Sequence, residues 1–322
     1  MKAVRVHRAG GSEGLVYEDV PDPQPAAGQI VVRVEAIGVN YAEIGRRRNA
    51  NPANLPGPMG GEGAGTVLQA GEGVTDLTAG DRVAFAGVTG AYAEQILLRA
   101  GQVVPVPANV TSKQAAAVMT QGMTAHALAT DVYPLKPGDT CLVHAAAGGI
   151  GLLLCQIARL RGARVIGTVS TGAKAEAARA AGAQDTILYT QADFVQETKR
   201  LTEGRGVDVV YDSVGQTTFL KGFECIRPRG MMVSYGQSSG PIGPFDTDVL
   251  SRNGSLYLTR MGLAAYTAGR AELRRRASEV LEWVGAGQLR VHVCAELPLA
   301  SASQAQDMLE ARETIGKVLL IP

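Results

Sequence analysis

The stretch Thr140–Gly151, with the sequence TCLVHAAAGGIG, places a short apolar strand before a glycine-rich turn, and Ile150–Arg161 then has the pattern of a helix. Aligned with the dinucleotide-binding pattern G-x-G-x-x-G, the turn reads Ala146-x-Gly148-x-x-Gly151, so alanine replaces the first glycine. Gly148 would let the backbone approach a pyrophosphate, and Gly151 would let helix and strand pack closely. A helix that begins at such a turn presents free N–H groups and partial positive charge to phosphates. The stretch predicts a dinucleotide site, with a glycine-rich turn that binds nothing as the alternative.

The residues that follow continue the alternation of strands and helices. Strands are predicted at Arg164–Val169, Asp185–Leu188, Val207–Asp212 and Met231–Tyr235, and helices at Lys174–Ala181, Asp193–Thr202 and Thr217–Cys225. Strand–helix units at this spacing connect by right-handed crossovers into a parallel sheet covered on both faces. The pattern predicts an α/β fold with a doubly wound, Rossmann-type sheet.

The end of the second strand indicates which dinucleotide binds. NAD sites usually carry an acidic residue about 20 residues beyond the loop, bonded to the ribose 2′-hydroxyl. The region Gly167–Lys174 contains no carboxylate. Ser170 can donate a hydrogen bond, and Lys174 can neutralise a 2′-phosphate unless it is a solvated lysine at a helix start. The missing acid favours NADPH independently of Lys174.

The two ends of the chain have a different pattern. Short Val- and Ile-rich runs at Ile30–Val39, Gly65–Ala70 and Arg82–Ala86 alternate with Gly/Pro turns, which predicts a barrel-like, β-rich domain over residues 1–120. A helix at about Arg270–Ala286, another at Ser301–Ala311 and a strand at Lys317–Ile321 follow the Rossmann region. This tail is too short for a domain of its own, so we expect it to pack on the N-terminal one.

Composition excludes several classes of function. The 322 residues include 31 basic and 30 acidic side chains, a balance that argues against binding nucleic acid or an anionic membrane. There is no run of 18 apolar residues, and the N-terminus lacks the apolar core of a signal peptide. The four cysteines, at 141, 155, 225 and 294, form no C-x-x-C pair, so we expect buried core thiols in a cytoplasmic protein.

These motifs together resemble a known family. Over its whole length the chain is similar to the zinc-free quinone oxidoreductases, the zeta-crystallin-like branch of the medium-chain dehydrogenase/reductase superfamily. The resemblance is carried by Gly38-Val39-Asn40, Gly61–Gly65 with Gly80–Val83, His144–Gly151, Val209–Gly215, Arg227–Gly230, Gly254–Arg260, and Leu309–Arg312 with Gly316–Pro322. It implies a GroES-like catalytic domain over 1–120, completed by 261–322, and a Rossmann NADPH-binding domain over 121–260. It also implies a homodimer formed by edge pairing of the Rossmann sheets.

The resemblance assigns residues to the cofactor. Asn40 and Thr124 should lie near the nicotinamide, and the turn residues Ala146, Gly148, Gly149, Ile150 and Gly151 near the pyrophosphate. Ser170, Lys174 and Tyr189 should surround the adenosine 2′-phosphate. The nicotinamide half should be followed by Ser213, Tyr235, Gly236, Gln237 and Ser238, with Arg260 and Arg312 approaching from the other side of the cleft.

No metal site is expected. Zinc-dependent members of the superfamily have Cys where this chain has Asn40, and Gly-His-Glu where it has Gly60-Gly61-Glu62. The four histidines, at 7, 126, 144 and 292, show no spacing that would make a metal site and are expected to be structural.

The segment Ile44–Pro52 departs from the family. Many relatives have tyrosines here, whereas this chain has Arg46, Arg47 and Arg48. The arginines are either a solvated charge run beside a loop or a pocket for an acidic acceptor. The second interpretation leads to an acyl-CoA-type enoyl reductase as an alternative activity.

The predicted function is delivery of hydride or electrons from NADPH to a quinone or another conjugated carbonyl compound, without zinc. The cofactor supplies the chemistry, while the protein positions it and excludes water. Tyr41 and Thr124 are candidate hydrogen-bond donors to the acceptor oxygen, and Asn40 is a candidate positioning residue. A protein that binds NADPH but turns over little is the alternative from a different class.

Overall fold

The computed structural model describes every residue from Met1 to Pro322. The chain forms two compact units. Unit 1 contains Met1–Met123 and Thr267–Pro322, and unit 2 contains Thr124–Tyr266. No helix combines the length and the apolar composition needed to cross a bilayer.

Sixteen strands occur along the chain: β1 Lys2–Val6, β2 Leu15–Asp19, β3 Gln29–Val39, β4 Gly57–Pro58, β5 Glu62–Ala70, β6 Arg82–Ala86, β7 Gln95–Arg99, β8 Val103–Pro105, β9 Thr140–Val143, β10 Arg164–Val169, β11 Asp185–Leu188, β12 Val207–Asp212, β13 Ile226–Ser234, β14 Tyr257–Arg260, β15 Val293–Pro298 and β16 Lys317–Ile321. The nine α-helices are α1 Tyr41–Arg48, α2 Ser112–Ala127, α3 Gly149–Leu160, α4 Gly172–Ala180, α5 Phe194–Leu201, α6 Phe219–Gly222, α7 Asp248–Arg252, α8 Arg270–Gly285 and α9 Ala302–Glu310.

Unit 1 is built on β-sheet. Its larger sheet has seven strands in the order β15-β16-β3-β5-β6-β8, with β7 also paired to β3. The long strand β3 pairs antiparallel with β5 along one edge and with β7 and then β16 along the other, because its eleven residues are enough for two successive partners. The smaller sheet has the order β2-β1-β4. The C-terminal strand β16 therefore lies directly beside the strand that ends next to Asn40.

Unit 2 contains one parallel sheet in the order β11-β10-β9-β12-β13-β14. All six residues of the central strand β12 are buried, as expected for a parallel strand covered on both faces. The chain builds outward from β9 to β11 on one side and then returns to β12 on the other. This reversal between β9 and β12 is the topological switch point at which such sheets bind ligands. The predicted α/β fold, with a β-rich unit and a Rossmann-type parallel sheet, is confirmed.

Three local predictions need correction. The predicted β-rich region 1–120 also contains α1, and α2 begins within it at Ser112. The predicted helix Thr217–Cys225 is α-helical only over Phe219–Gly222. Among the cysteines, Cys294 is exposed rather than buried, because alternate residues of its short edge strand face outward.

Candidate active site

The glycine-rich turn of unit 2 has the geometry of a phosphate-binding loop. Ala145 adopts the left-handed conformation with φ +52°, and its carbonyl accepts a hydrogen bond from Gly148 N at 2.9 Å. Helix α3 begins at Gly149, so its first backbone N–H groups remain available at the carboxyl end of β9. A twelve-residue helix directed this way provides the partial positive charge that a pyrophosphate needs.

Two glycines make the turn compact. A Cβ atom on Gly151 would lie 2.4 Å from the Ala145 carbonyl oxygen, so only glycine fits there. Ala146 stands where the dinucleotide pattern has its first glycine and is fully buried. A Cβ atom on Gly167 of β10 would lie 2.7 Å from the Ala146 Cβ, so Gly167 makes room for the methyl group. The glycine missing from the turn is compensated by one on the neighbouring strand, which alignment to the turn alone does not detect.

The switch point brings the predicted nicotinamide-side residues of unit 2 together. The Ser213 hydroxyl, just after β12, lies 3.5 Å from the His144 carbonyl oxygen, just after β9. Ser238 N donates to the Ser213 carbonyl at 3.2 Å, which joins the loops after β12 and β13. Arg260, at the end of β14, donates to Ser234 Oγ at 2.9 Å and to Gln237 Oε1 at 3.2 Å. These loops form a continuous polar edge.

Residues predicted for the 2′-phosphate also lie close together in unit 2. Strands β10 and β11 pair in register from Ile166/Asp185 to Val169/Leu188, so Ser170 and Tyr189 leave the sheet side by side. Tyr189 is 44% exposed. Lys174 lies in the first turn of α4, which Thr171 caps by accepting from Lys174 N at 3.3 Å. A hydroxyl, an exposed phenol and a lysine at a helix N-terminus, with no carboxylate between them, fit a phosphate dianion.

Unit 1 contains a buried polar cluster centred on Glu62, which is fully buried. Asn40 Nδ2 donates to Glu62 Oε1 at 2.6 Å, and Thr120 N donates to Glu62 Oε2 at 2.6 Å. Lys317 Nζ donates to Asn40 Oδ1 at 3.0 Å and also to Glu62 Oε1. Three separate parts of the chain therefore converge on the predicted residue Asn40.

A second acid, Glu43, supports the same region. It accepts from Asn40 N at 3.1 Å, Gly61 N at 2.9 Å and the Tyr92 hydroxyl at 2.6 Å. Burial raises the pKa of Glu43 and raises that of Tyr92 well above its usual value. Sequence reasoning missed Glu43, although the spacing Asn40-x-x-Glu43 is the signature of a helix capping box and could have revealed it.

The three arginines of α1 have different environments. Arg47 is fully buried and donates to Gly10 O at 3.0 Å, Gln306 Oε1 at 2.7 Å and Glu310 Oε1 at 2.8 Å. The Arg48 side chain is 55% exposed and forms an ion pair with Glu310 at 2.9 Å. Both arginines therefore connect α1 to α9. For Arg47 this corrects both interpretations, since it is neither a solvated charge nor part of an acceptor pocket.

Arg46 extends towards a different position. A Cβ atom built on Gly61 would lie 3.3 Å from Glu43 Oε1 and 3.5 Å from Arg46 Nη1. Arg46 and Glu43 therefore fill the space that a side chain at position 61 would occupy. No group of three His, Cys, Asp or Glu side chains is arranged to hold a metal ion.

The remaining predicted residues lie in varied settings. Tyr41 begins α1 and is 37% exposed, while Thr124 is buried in α2. Arg312 follows α9 in unit 1 with φ +58°. Their approach to a cofactor stays a prediction.

Comparisons with known proteins agree with this architecture. Residues 26–108 match the alcohol dehydrogenase GroES-like domain, and residues 149–283 match the zinc-binding dehydrogenase family. The quinone oxidoreductase of Pseudomonas aeruginosa is 40% identical, with 100% of this chain and 99% of that protein covered. The crystal structure of the Escherichia coli quinone oxidoreductase complexed with NADPH is 39% identical, covers 100% of both chains and has a TM-score of 0.97. A 2-haloacrylate reductase from Burkholderia is 39% identical, with 99% of this chain and 98% of that protein covered.

A GroES-like unit and a six-stranded parallel sheet with a glycine-rich turn define a class of two-domain, dinucleotide-dependent dehydrogenases and reductases. Within this class, the chain belongs to the quinone oxidoreductase branch of the medium-chain dehydrogenase/reductase superfamily.

Proposed function

We propose that this protein is an NADPH-dependent quinone oxidoreductase. The observation that carries the proposal is the phosphate-binding edge of unit 2, where Ser170, Lys174 and Tyr189 lie together without a carboxylate. The full-length relatives include the quinone oxidoreductase of Escherichia coli, whose crystal structure is a complex with NADPH. In this proposal unit 2 binds the cofactor.

The turn of unit 2 binds the dinucleotide in this proposal. The free N–H groups at Gly149 and Ile150 bind the pyrophosphate, and Gly148 lets the backbone approach it. Gly151 lets α3 pack closely against the turn. Lys174 and Ser170 bind the 2′-phosphate, and Tyr189 packs beside it. The nicotinamide half is bound by the loops that contain Ser213 and Tyr235–Ser238, with Arg260. The family resemblance assigns Asn40, Thr124 and Arg312 to the same half of the cofactor.

NADPH supplies a hydride, and uptake of one proton with that hydride converts a quinone into its hydroquinone. The chain's own residues have three tasks: to bind the cofactor, to hold the acceptor carbonyl and to exclude water. Asn40, Tyr41 and Thr124 are the proposed hydrogen-bonding groups near the acceptor. Because Asn40 and Gly61 replace two metal-ligand positions of the zinc-dependent relatives, these hydrogen bonds take the place of a Lewis acid.

The test is NADPH consumption measured against a panel of quinones and enones, with NADH in parallel. Rapid oxidation of NADPH by a quinone supports the proposal. Tight NADPH binding without turnover of any acceptor would instead favour an NADPH-binding protein that is not an enzyme.

Reduction of a small unsaturated acid is a second candidate function, favoured by Arg46. This side chain borders a pocket of about 190 Å³ that also includes Asn51, Asn54, Leu55 and Met59. A guanidinium beside amide and apolar groups suits a short conjugated carboxylate, and one relative is a 2-haloacrylate reductase. Higher catalytic efficiency with 2-chloroacrylate than with benzoquinone would make this the principal activity. An enoyl-CoA added to the same panel tests the enoyl-thioester alternative.

We also propose a cytoplasmic homodimer. Strand β14 is an edge strand of the unit 2 sheet, and its Tyr257 is 60% exposed. Unpaired edges with exposed aromatics favour pairing with a second copy. Sedimentation of the wild type as a dimer, and of Leu258→Pro as a monomer, would support this assembly, whereas a monomeric wild type would refute it.

A further inference from the structure

Lys317 is a lysine with almost no exposed surface, at 1% of its full area. It begins β16, next to the pairing of Val318 with Val39. This register places its side chain beside Asn40, the residue that follows β3. A buried ammonium is retained only where its hydrogen bonds are satisfied, and Asn40 and Glu62 accept two of them.

The three side chains permit only one orientation of the Asn40 amide. An ammonium can only donate hydrogen bonds, and a carboxylate can only accept them. The amide oxygen must therefore face Lys317, and the amide nitrogen must face Glu62. Reversing the amide would place two donors together at Lys317 and two acceptors together at Glu62.

This orientation leaves the second N–H of the Asn40 amide for a ligand. The amide nitrogen carries two hydrogens, and Glu62 takes one of them. Asn40 as a whole retains 9% of its surface, and its second N–H is the group that we assign to a small molecule. The amide can therefore offer a donor to a ligand, while its carbonyl oxygen is directed at Lys317.

We propose that Lys317 is a positioning residue, which fixes Asn40 so that its free N–H donates to the carbonyl oxygen of the acceptor. The inference rests on the proposed reductase function. Hydride transfer to a conjugated carbonyl places negative charge on that oxygen, and a fixed donor stabilises it without reorganisation. Lys317 acts through Asn40 and does not itself touch the acceptor.

The central experiment removes both buried charges together. In Glu62→Gln/Lys317→Met the amide of Asn40 loses its donor partner, but no unpaired charge stays in the core. We expect kcat with benzoquinone to fall about 10- to 100-fold, while the dissociation constant for NADPH changes less than threefold. The control, Glu272→Gln/Arg276→Met, removes a buried arginine and its acidic partner from unit 1. These two side chains lie 3.2 Å apart and form no bond with Asn40. It should leave kcat within about twofold of wild type.

A second variant keeps the proposal testable if the double variant does not fold. Asn40→Leu keeps the approximate volume of the side chain but removes its N–H groups and adds no charge beside Glu62. We expect kcat to fall about 100-fold, a larger factor than any change in the dissociation constant for NADPH. Full activity of Asn40→Leu would overturn the proposal.

A third measurement does not depend on activity. Asn40→Ala should lower the urea midpoint of unfolding in the wild type. The same substitution should lower the midpoint much less in Glu62→Gln/Lys317→Met, because that variant lacks the two charged partners of the Asn40 side chain. Equal losses in both backgrounds, together with an unchanged kcat of the double variant, would show that Lys317 only supports folding. If the wild type binds NADPH but reduces no acceptor, the proposed function fails, while this coupling still measures the link between Lys317 and Asn40.

Discussion

The glycine-rich turn of unit 2 and the Glu62 cluster of unit 1 are polar sites built in opposite ways. The turn uses backbone groups from one continuous stretch, Ala145–Gly151. It forms only where small residues leave room for the close approach of its backbone. The cluster uses side chains from Asn40, Glu62 and Lys317, separated by up to 277 residues, and its requirement is charge balance. The turn should therefore tolerate a pair of substitutions that conserves total side-chain volume. The cluster should tolerate only substitutions that conserve its net charge.

The largest expected effect is on the cluster. Lys317→Met leaves the carboxylate of Glu62 in the core with no cation, which should lower the free energy of unfolding by about 3–5 kcal/mol. Urea unfolding followed by circular dichroism measures the change. Adding Glu62→Gln should recover a large part of the loss. If the double variant is as unstable as the single one, charge balance is not what holds the cluster.

The next effect concerns the phosphate end of unit 2. Lys174→Ala should raise the dissociation constant for NADPH roughly 10- to 100-fold, since a charge-assisted phosphate contact contributes about 1.5–3 kcal/mol. The constant for NADH should stay the same. Lys199→Ala, at a lysine of the same unit paired with Glu224 at 3.7 Å, is the control and should alter neither constant. Equal wild-type affinities for both cofactors would contradict the NADPH preference.

The turn provides a reciprocal swap that tests space alone. Gly167→Ala should lower the free energy of unfolding by about 1–3 kcal/mol, because the added methyl meets Ala146. Ala146→Gly/Gly167→Ala moves that methyl from the turn to the strand and should restore most of the stability. Thermal denaturation of the two single variants and the double variant gives the coupling. Additive losses would show that these residues do not share one space.

A smaller effect separates the arginines of α1. Arg46→Gln should reduce the catalytic efficiency for 2-chloroacrylate about three- to tenfold at low salt, because a partly solvated charge contributes about 0.5–1.5 kcal/mol. The efficiency for neutral benzoquinone should not change. Arg48→Gln removes the same charge two residues away, where the arginine pairs with Glu310, and should affect neither substrate. Equal behaviour of both variants, at low and high salt, would remove Arg46 from the acceptor site.

The last prediction is that removal of metal ions has no effect. EDTA should leave activity and thermal stability unchanged, because Asn40 and Gly61 occupy positions where the zinc-dependent relatives have ligands. Elemental analysis of the purified protein should find no stoichiometric zinc. Activity lost on chelation and restored by zinc would refute this prediction.

Sites made of contiguous residues could be predicted from the sequence, whereas sites assembled from distant residues could not. The strand–turn–helix Thr140–Gly151 was predictable because its residues are contiguous and each has a local geometric reason. Helix α1 was missed because Asn40–Asn49 contains three adjacent arginines and a glycine, and its apolar face is short. Arg47 could not be assigned from sequence, since its partners Gln306 and Glu310 lie on a distant helix.

The sequence by itself determined the order of strands and helices in unit 2, the glycine-rich turn and the absence of an acidic residue in Gly167–Lys174, because these depend on neighbours within about 30 residues. Only the tertiary structure decided that Gly167 compensates for Ala146, that Arg47 is buried while Arg46 is not, and that Lys317 fixes the amide of Asn40. The physical reason is that burial and hydrogen-bond partners depend on which distant strands become neighbours. The pairing of β16 with β3 is such a case, because it brings Lys317 to Asn40 across almost the whole chain.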